Sequence, residues 1–335
     1  MQVRDAERAA IEAVLRRSHE VWGEGLSPDD YVRFNLEQQG TAWARERYRF
    51  LIAEEGGAVV SALKLYSFPG EIDGRPVRLA GIGAVFTPQE HRGRGHARAL
   101  VEAAVDRARV LGHDAAILMS EIGAAYYERL GFRSLPARAA GCLPFLPVPW
   151  PGEPSWLAGG GEPGAHVAGL RPFLPEDLDA LVAIHDEATR GQRFRLLRDR
   201  PAWEQALFKA DLWRRLKGDG GDRISVVERH GAVAAYVALR EVRGALQWRE
   251  HGARPGCEEV LADLFWCALS HARRRGVNRM DAWELPAVVT TRRLYPVAQR
   301  PQHDPAIMLR AIGPGGAFAE CAASEECRLS WLDVF

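Results

Sequence analysis

The chain has 335 residues, too many for one ordinary core, and this points to two domains of average size. Its residues are 47% hydrophobic and 26% charged, the balance of a soluble globular protein and not of a disordered one. The 44 basic residues meet 44 acidic ones, so no overall field draws the chain to nucleic acid or to an anionic membrane, and neither is expected as a partner. Only Lys64, Lys209 and Lys217 among the basic residues are Lys; Arg replaces it along the whole chain and not at one patch.

The stretch Met1 to Arg8 is charged and lacks the apolar core of a signal peptide, and no later stretch stays apolar long enough to span a bilayer. A cytoplasmic protein is expected. The five cysteines, Cys142, Cys257, Cys267, Cys321 and Cys327, are scattered, odd in number and without a C-x-x-C pair, so neither a disulfide framework nor a zinc site is expected. No H-E-x-x-H and no G-x-S-x-G occurs, which argues against metal-dependent and Ser-triad hydrolases.

In chain order, Gln2 to Arg4 reads as a short strand and Ala6 to Trp22 as a helix stopped by Gly23 and Gly25. A second helix is predicted after Ser27-Pro28, where Ser27 caps and Pro28 suits the first turn. Tyr48 to Ala53 and Ala58 to Tyr66 read as strands around the turn at Glu54-Glu55-Gly56-Gly57. Arg78 to Thr87 is the next strand, with Gly81 and Gly83 inside it; interior glycine marks a bulge or a close approach of backbone or ligand. From Ala97 to Leu111 the apolar residues fall on one helical face, Gly112 ends that helix, Ala115 to Met119 is a buried strand, and Ile122 to Leu130 is a short helix closed by Gly131.

From Pro144 the texture turns to proline and then glycine, which is linker chemistry. The division expected is 1–143, a linker at 144–165, and a second domain at 166–335. That second domain reads as a worn copy of the first. Gly231-Ala232-Val233 aligns with Gly57-Ala58-Val59, and Leu264 to Gly276 repeats the helix ending at Gly112. The tail Trp331 to Phe335 is expected to complete the second domain's sheet.

Between the glycine-containing strand and the long helix lies Arg92-Gly93-Arg94-Gly95-His96-Ala97. Backbone N–H groups and a helix N-terminus converge there, which suits a phosphate-bearing anion. The loop is neither a Walker A nor a dinucleotide-binding turn, because no Gly-Lys-Ser/Thr follows and position 98 is Arg. In the second domain the same place holds Arg254-Pro255-Gly256-Cys257-Glu258-Glu259; proline removes a donor and two carboxylates repel phosphate, so one anion site per chain is expected, in the first domain.

The loop resembles the R/Q-x-x-G-x-G/A turn of the GCN5-related N-acetyltransferase (GNAT) superfamily, with Arg92, Gly95 and Ala97 in its defined positions. Gly83 to Thr87 is similar to that family's splayed central strand, and Ala124 to Phe132 to its late helix with a Y-x-x-L-G-F ending. The resemblance covers about residues 3 to 140. Ser120-Glu121-Ile122-Gly123 brings it closest to lysine N6-acetyltransferase-like members, and the two-domain layout is similar to enhanced-intracellular-survival-type acetyltransferases. The resemblance implies an α/β fold of two tandem domains, each a mixed, mostly antiparallel sheet flanked by helices. It implies acetyl-CoA as co-substrate and no metal, with a small-molecule amine or amino acid as acceptor. Oligomeric state stays open.

By the same resemblance, Val85, Phe86 and Thr87 hold the pantetheine arm and the thioester carbonyl. The segment Arg92, Gly93, Arg94, Gly95, His96 and Ala97 holds the pyrophosphate, and Ser120 lies at the cofactor. Tyr127 is the candidate acid for the departing thiolate, while neighbouring Tyr126, on the face of Ile122 and Leu130, reads as packing. His96 is expected to be positional. Arg78 to Thr87 contains no carboxylate, so the base is open among Glu121, which leads, Glu71, Asp73 and the carboxylate of Phe335. The alternative reading is a CoA-binding sensor or interaction protein that keeps the fold without turnover.

Overall fold

A computed structural model describes residues 1–142, 154–155, 167–218, 221–242, 244–277, 279–301 and 305–313. The expected linker and the tail from Trp331 to Phe335 fall almost wholly outside these residues.

The first sheet begins with β1 (Gln2–Asp5), followed by three helices: α1 (Arg8–Trp22), α2 (Pro28–Gln39) and α3 (Ala42–Arg47). Ser27 caps α2 as its sequence predicts, its Oγ accepting from the Asp30 N–H at 3.1 Å, with Pro28 in the first turn. Next come β2 (Tyr48–Glu55), β3 (Ala58–Ile72) and β4 (Arg75–Phe86), longer at both hairpin ends than their apolar cores imply. Helix α4 (His96–Val110) leads to β5 (Ala115–Ser120), the single turn α5 (Ala125–Glu128) and β6 (Arg133–Ser134). All neighbours are antiparallel except β4 and β5, which α4 connects. On one face Leu100, Val101, Ala104 and Ala108 of α4 pack on Leu63, Leu65, Ile82 and Leu118, all buried; each fully buried Leu or Val there contributes about 1.5–3 kcal/mol relative to exposure. On the other face α1 and α2 cover Phe50, Ile52, Ala62 and Phe86.

The second sheet contains β7 (Arg138–Cys142), β8 (Leu170–Pro172), β10 (Arg223–Arg229), β11 (Ala232–Val242), β12 (Ala245–Ala253), β13 (Met280–Ala282) and β14 (Ala298–Pro301). Its helices are α6 (Leu178–Thr189), α7 (Arg200–Lys217), α8 (Val260–Arg274) and α9 (Ala287–Thr291). Here too one pair is parallel, β12 with β13, joined through α8.

The two sheets repeat small irregularities as well as large elements. The turns Gly56-Gly57 and His230-Gly231 both have positive φ at both central residues, as a tight hairpin of this twist requires. A bulge follows at Val60 in β3 and at Ala234 in β11. Gly112 and Gly276 end the crossover helices in the left-handed region, and the next residue's N–H reaches back to the Ala108 and Ala272 carbonyls.

The order of strands departs from the order of the chain. β15 (Ala306–Ala311) lies in the first sheet between β5 and β6, and β7 lies in the second between β13 and β14. A further short strand, β9 (Phe194–Leu196), pairs with Gly70 to Ile72 at the far end of β3. Each sheet is thus closed by a strand from the other half of the sequence.

Candidate active site

β4 and β5 pair only from Leu79 to Ile82 with Ala115 to Leu118. Beyond Ile82, β4 bulges: Ala62 faces Phe86 while Lys64 faces Gly83, so Ala84 and Val85 together oppose Leu63. Ala84 sits at φ 48°, a left-handed conformation that costs a non-glycine residue roughly 1–2 kcal/mol and is held here by the ladder on either side. The exit of the strand is pinned by Ser61, whose Oγ donates to the Phe86 carbonyl at 3.0 Å and lies 3.1 Å from Thr87 Oγ1. The result is a V between β4 and β5 in which Val85, Phe86 and Thr87 have no ladder partner on the β5 side.

The loop after this strand opens at the same end. Gly93 has φ 74° and Gly95 φ 81°, and a Cβ at either would meet nothing within 4 Å, so glycine is required by backbone conformation and not by space. Gly95 is the N-cap of α4 without a side-chain cap, and the first helical bond runs from the Ala99 N–H to the Gly95 carbonyl at 3.0 Å. The N–H groups of the first turn, those of Ala97 and Arg98 among them, are therefore left to an outside acceptor. Arg92, Arg94 and Arg98 are exposed around them, Arg92 donating from Nε to the Thr87 carbonyl at 3.1 Å. The site thus fits a pyrophosphate by its open backbone donors and local cations.

His96 differs from its reading as a loop residue. Its side chain turns into the protein and is buried, with Nε2 3.9 Å from Glu55 Oε2, so only its backbone belongs to the loop.

Ser120 ends β5; it is buried and its hydroxyl donates to the Gly123 carbonyl at 2.6 Å, fixing the turn that carries Glu121. Glu121 is exposed beside this strand end. Of the two tyrosines in α5, Tyr127 is the more deeply buried, while Tyr126 packs half-buried against the same cluster, as its reading as a packing residue expects. Tyr127 lies edge-on to Phe132 at 6.0 Å and to Tyr126 at 4.9 Å, in the same apolar cluster that Val85 packs against. Burial pushes its pKa up to about 12, with Tyr126 adding in the same direction. The phenol therefore stays protonated at neutral pH. Full proton transfer to a thiolate of pKa about 8.5 would be uphill by about 5 kcal/mol, so the arrangement suits hydrogen-bond donation to sulfur better than complete transfer.

Two other candidate bases are engaged elsewhere. Glu71 pairs with Arg195 at 3.0 Å and Asp73 with Arg193 at 2.8 Å, both against β9 at the opposite end of the β3–β4 hairpin from the V. Phe335 lies outside the described residues.

On the face covered by α1 and α2, Gly81 and Gly83 of β4 oppose Tyr66 and Lys64 of β3, leaving β4 bare of side chains there. Lys64 Nζ donates to Asn35 Oδ1 of α2 at 2.7 Å, and α7 of the second half closes over the same region with Leu212 and Trp213. Sequence reading found the glycines but not Lys64 or Asn35. The available signal was a lysine set into an otherwise apolar strand of a chain with three lysines.

The second sheet repeats the V without the loop. β12 and β13 pair from Leu246 to Trp248 only, and Arg249 is the bulged residue. The Gly256 N–H, at the place of the first sheet's open donors, is occupied by the chain's own Glu258 Oε1 at 3.1 Å. A cavity of about 380 Å³ in this V is lined by Arg249, Glu250 and His251 of β12, by Glu258 and by Trp283. Beneath it, Glu250 Oε1 accepts from Arg198 and from the Tyr236 hydroxyl, each at 2.8 Å. Among the described residues no group of three or more His, Cys, Asp or Glu is placed to hold a metal ion, and no helix is long and apolar enough to cross a membrane.

Residues 2–135 match the family model for the acetyltransferase (GNAT) domain. No curated protein matches the chain. Among solved structures, a GCN5-related N-acetyltransferase from Kribbella flavida is similar at TM-score 0.62 and 20% identity, over 93% of this chain and 72% of that one. Eis1 from Mycobacterium abscessus is similar at TM-score 0.55 and 14% identity, over 93% and 74% of the two chains. The Saccharomyces cerevisiae N-myristoyltransferase with bound myristoyl-CoA follows at TM-score 0.54 and 11% identity, over 92% and 82%. The match to the acetyltransferase (GNAT) domain thus covers the segment that carries the bulged strand, the glycine loop and the crossover helix, and over the whole chain the fold is that of the GNAT structures it resembles.

Proposed function

We propose that the chain is an acetyl-CoA-dependent N-acetyltransferase acting on a primary amine of a small molecule or an amino acid, with one co-substrate site per chain. The observation that carries this reading is the meeting of the open Gly93–Ala97 loop with the V between β4 and β5 at one end of the first sheet. Acetyl-CoA supplies the activated acyl thioester. The backbone N–H groups of Gly93 to Ala97 bind its pyrophosphate, with Arg92 and Arg94 adding an attraction that salt weakens. Backbone donors of Val85 and Phe86 in the V hold the acyl carbonyl and receive the charge that develops on its oxygen. Tyr127 donates a hydrogen bond to the departing sulfur. Glu121, exposed at the end of β5, takes the amine proton through water. The catalytic unit spans 1–143 and the unit at 166–335 shapes the acceptor side, with β7 and β15 exchanged between the two sheets.

The test is thiol release from acetyl-CoA across a panel of primary amines and amino acids, beside calorimetric binding of CoA. Amine-dependent release with one CoA bound per chain is expected. Binding without release from any amine would favour the sensor reading, and absence of binding would sink both.

A further inference from the structure

The exit of β4 has two flanks, and only one of them is the V. Beyond Ile82 the strand has no ladder partner on the β5 side. On the β3 side Phe86 pairs with Ala62, and its carbonyl accepts from the Ser61 hydroxyl at 3.0 Å. On this second flank, under α1, lies a cavity of about 290 Å³. Its walls are mainly carbon, from Ala13 and Val14 of α1, Val59 and Ala62 of β3, Phe86 at the end of β4, and Pro88. Arg17 and Glu90 form a charged edge; both are exposed and they pair with each other. Arg17 holds the Glu90 carboxyl below its ordinary range, so the pair stays intact at neutral pH and offers no net charge. Ser61 and His91 are the other polar side chains of the lining. The Ser61 hydroxyl is engaged by Phe86 and Thr87. His91 Nδ1 is shielded from solvent, and among the described residues nothing bonds to it.

An ionised group has no partner to spare in this cavity, because Arg17 and Glu90 already answer each other, and burying a charge alone is costly. A neutral apolar body suits the carbon walls. An apolar cavity of about 150 Å³ holds benzene, so about 290 Å³ takes a ring with a substituent. One N–H or O–H on that body would satisfy His91, whose neutral ring accepts at Nδ1 when its proton sits on Nε2. The same wall leads to the cofactor loop. His91 ends the turn Gln89–His91, its N–H bonded to the Pro88 carbonyl at 2.9 Å, and Arg92 follows with its N–H on the Gln89 carbonyl at 3.2 Å.

We propose that this cavity is a second small-molecule site, separate from the V, for a neutral ring or branched chain bearing one N–H or O–H donor. Its occupant steadies the turn from which the glycine loop departs and so raises CoA affinity. The site stands apart from the acetyl-transfer reading, and the effect on CoA rests on that reading only as far as CoA binding.

The experiment titrates the full chain by calorimetry with p-cresol as probe and 4-methylanisole, which lacks the donor, as its control. One p-cresol per chain is expected with a Kd of about 1 mM or tighter, and 4-methylanisole about fivefold weaker or more. Ala13→Leu, at an exposed helical position that leucine suits, fills the cavity from α1 and is expected to weaken p-cresol about tenfold or more. His91→Phe keeps a ring and removes the nitrogen, so the two probes are expected to bind it alike. No p-cresol binding up to about 10 mM, binding undiminished in Ala13→Leu, or a preference that survives in His91→Phe overturns the site. Saturating p-cresol is expected to tighten CoA about fivefold, and by linkage saturating CoA tightens p-cresol by the same factor. An unmoved CoA affinity overturns the effector role. Binding of p-cresol to a chain that binds no CoA leaves the site standing and removes the acetyl-transfer reading, and the effector role with it.

Discussion

The loops at Arg92–Ala97 and Arg254–Glu259 occupy the same place in two sheets that share hairpins, bulges and helix ends, and they differ in who satisfies their backbone. In the first, Gly93 and Gly95 take left-handed conformations and no side chain among the described residues caps the first turn of α4. In the second, Glu258 folds back and accepts from Gly256 at 3.1 Å, and Pro255 removes a donor. A carboxylate on the chain does permanently what a phosphate would do reversibly. A fold can therefore keep its whole frame and lose a ligand site through a few residues in one turn.

The largest effect should come from closing the first loop. Gly95→Val places a β-branched residue at φ 81°; with two charge-assisted backbone bonds lost, CoA affinity is expected to fall about a hundredfold by calorimetry, with far-UV CD unchanged. Tyr127→Phe keeps the ring contact with Phe132 and removes only the hydroxyl. A fall in kcat of about 10 to 100-fold with the KM for acetyl-CoA held is expected, and an unchanged kcat would make the tyrosine a packing residue.

The sheets differ again at Lys64, whose counterpart after the second hairpin is Ala238. Lys64 has a folded pKa of about 7 against an ordinary 10.5, so the unfolded chain binds more protons between those values and wild-type stability rises with pH across that window. Lysine 209, at about 8, adds to the rise above that pH. Lys64→Met should flatten the curve, gaining on the order of 1–2 kcal/mol near pH 6.5 and little near pH 10 in denaturant titrations. The smallest effect is a null. Glu258→Gln weakens the internal cap of the second loop, but Pro255 remains, and CoA stoichiometry should stay at one per chain; a second bound CoA would show that Glu258 alone had closed the site.

Local features of the first sheet were legible because local physics writes them. Ser27-Pro28 sets a helix start, Gly56-Gly57 sets a hairpin, and Gly95 next to an amphipathic run sets a helix end with open donors. The interior glycines pointed correctly to a bulge, although the strained residue is Ala84, which no propensity marks. What escaped depends on distant partners. Phe194–Leu196 is too short to carry a strand period, and only its pairing with Gly70–Ile72 makes it one. Likewise nothing local in Arg138–Cys142 or Ala306–Ala311 says that each belongs to the other half's sheet. His96 reads as a loop residue until the helix start rotates it inward, and the bond of Lys64 to Asn35 of α2 needs a partner that no local pattern marks.

The exchanged strands also constrain how the protein is made. Until Ala306–Ala311 is synthesised, the edge of β5 that it covers stays unpaired, along with the partners Met308 and Leu309 would give to β6. At about 5–20 residues per second, a ribosome leaves that edge waiting roughly 10 to 40 seconds after β5 emerges. During that time the nascent first half presents a sticky strand edge beside the unfinished V. The first sheet thus waits for a strand from the far half of the chain, and a stalled or truncated chain is expected to be aggregation-prone even when every residue of the first loop is present.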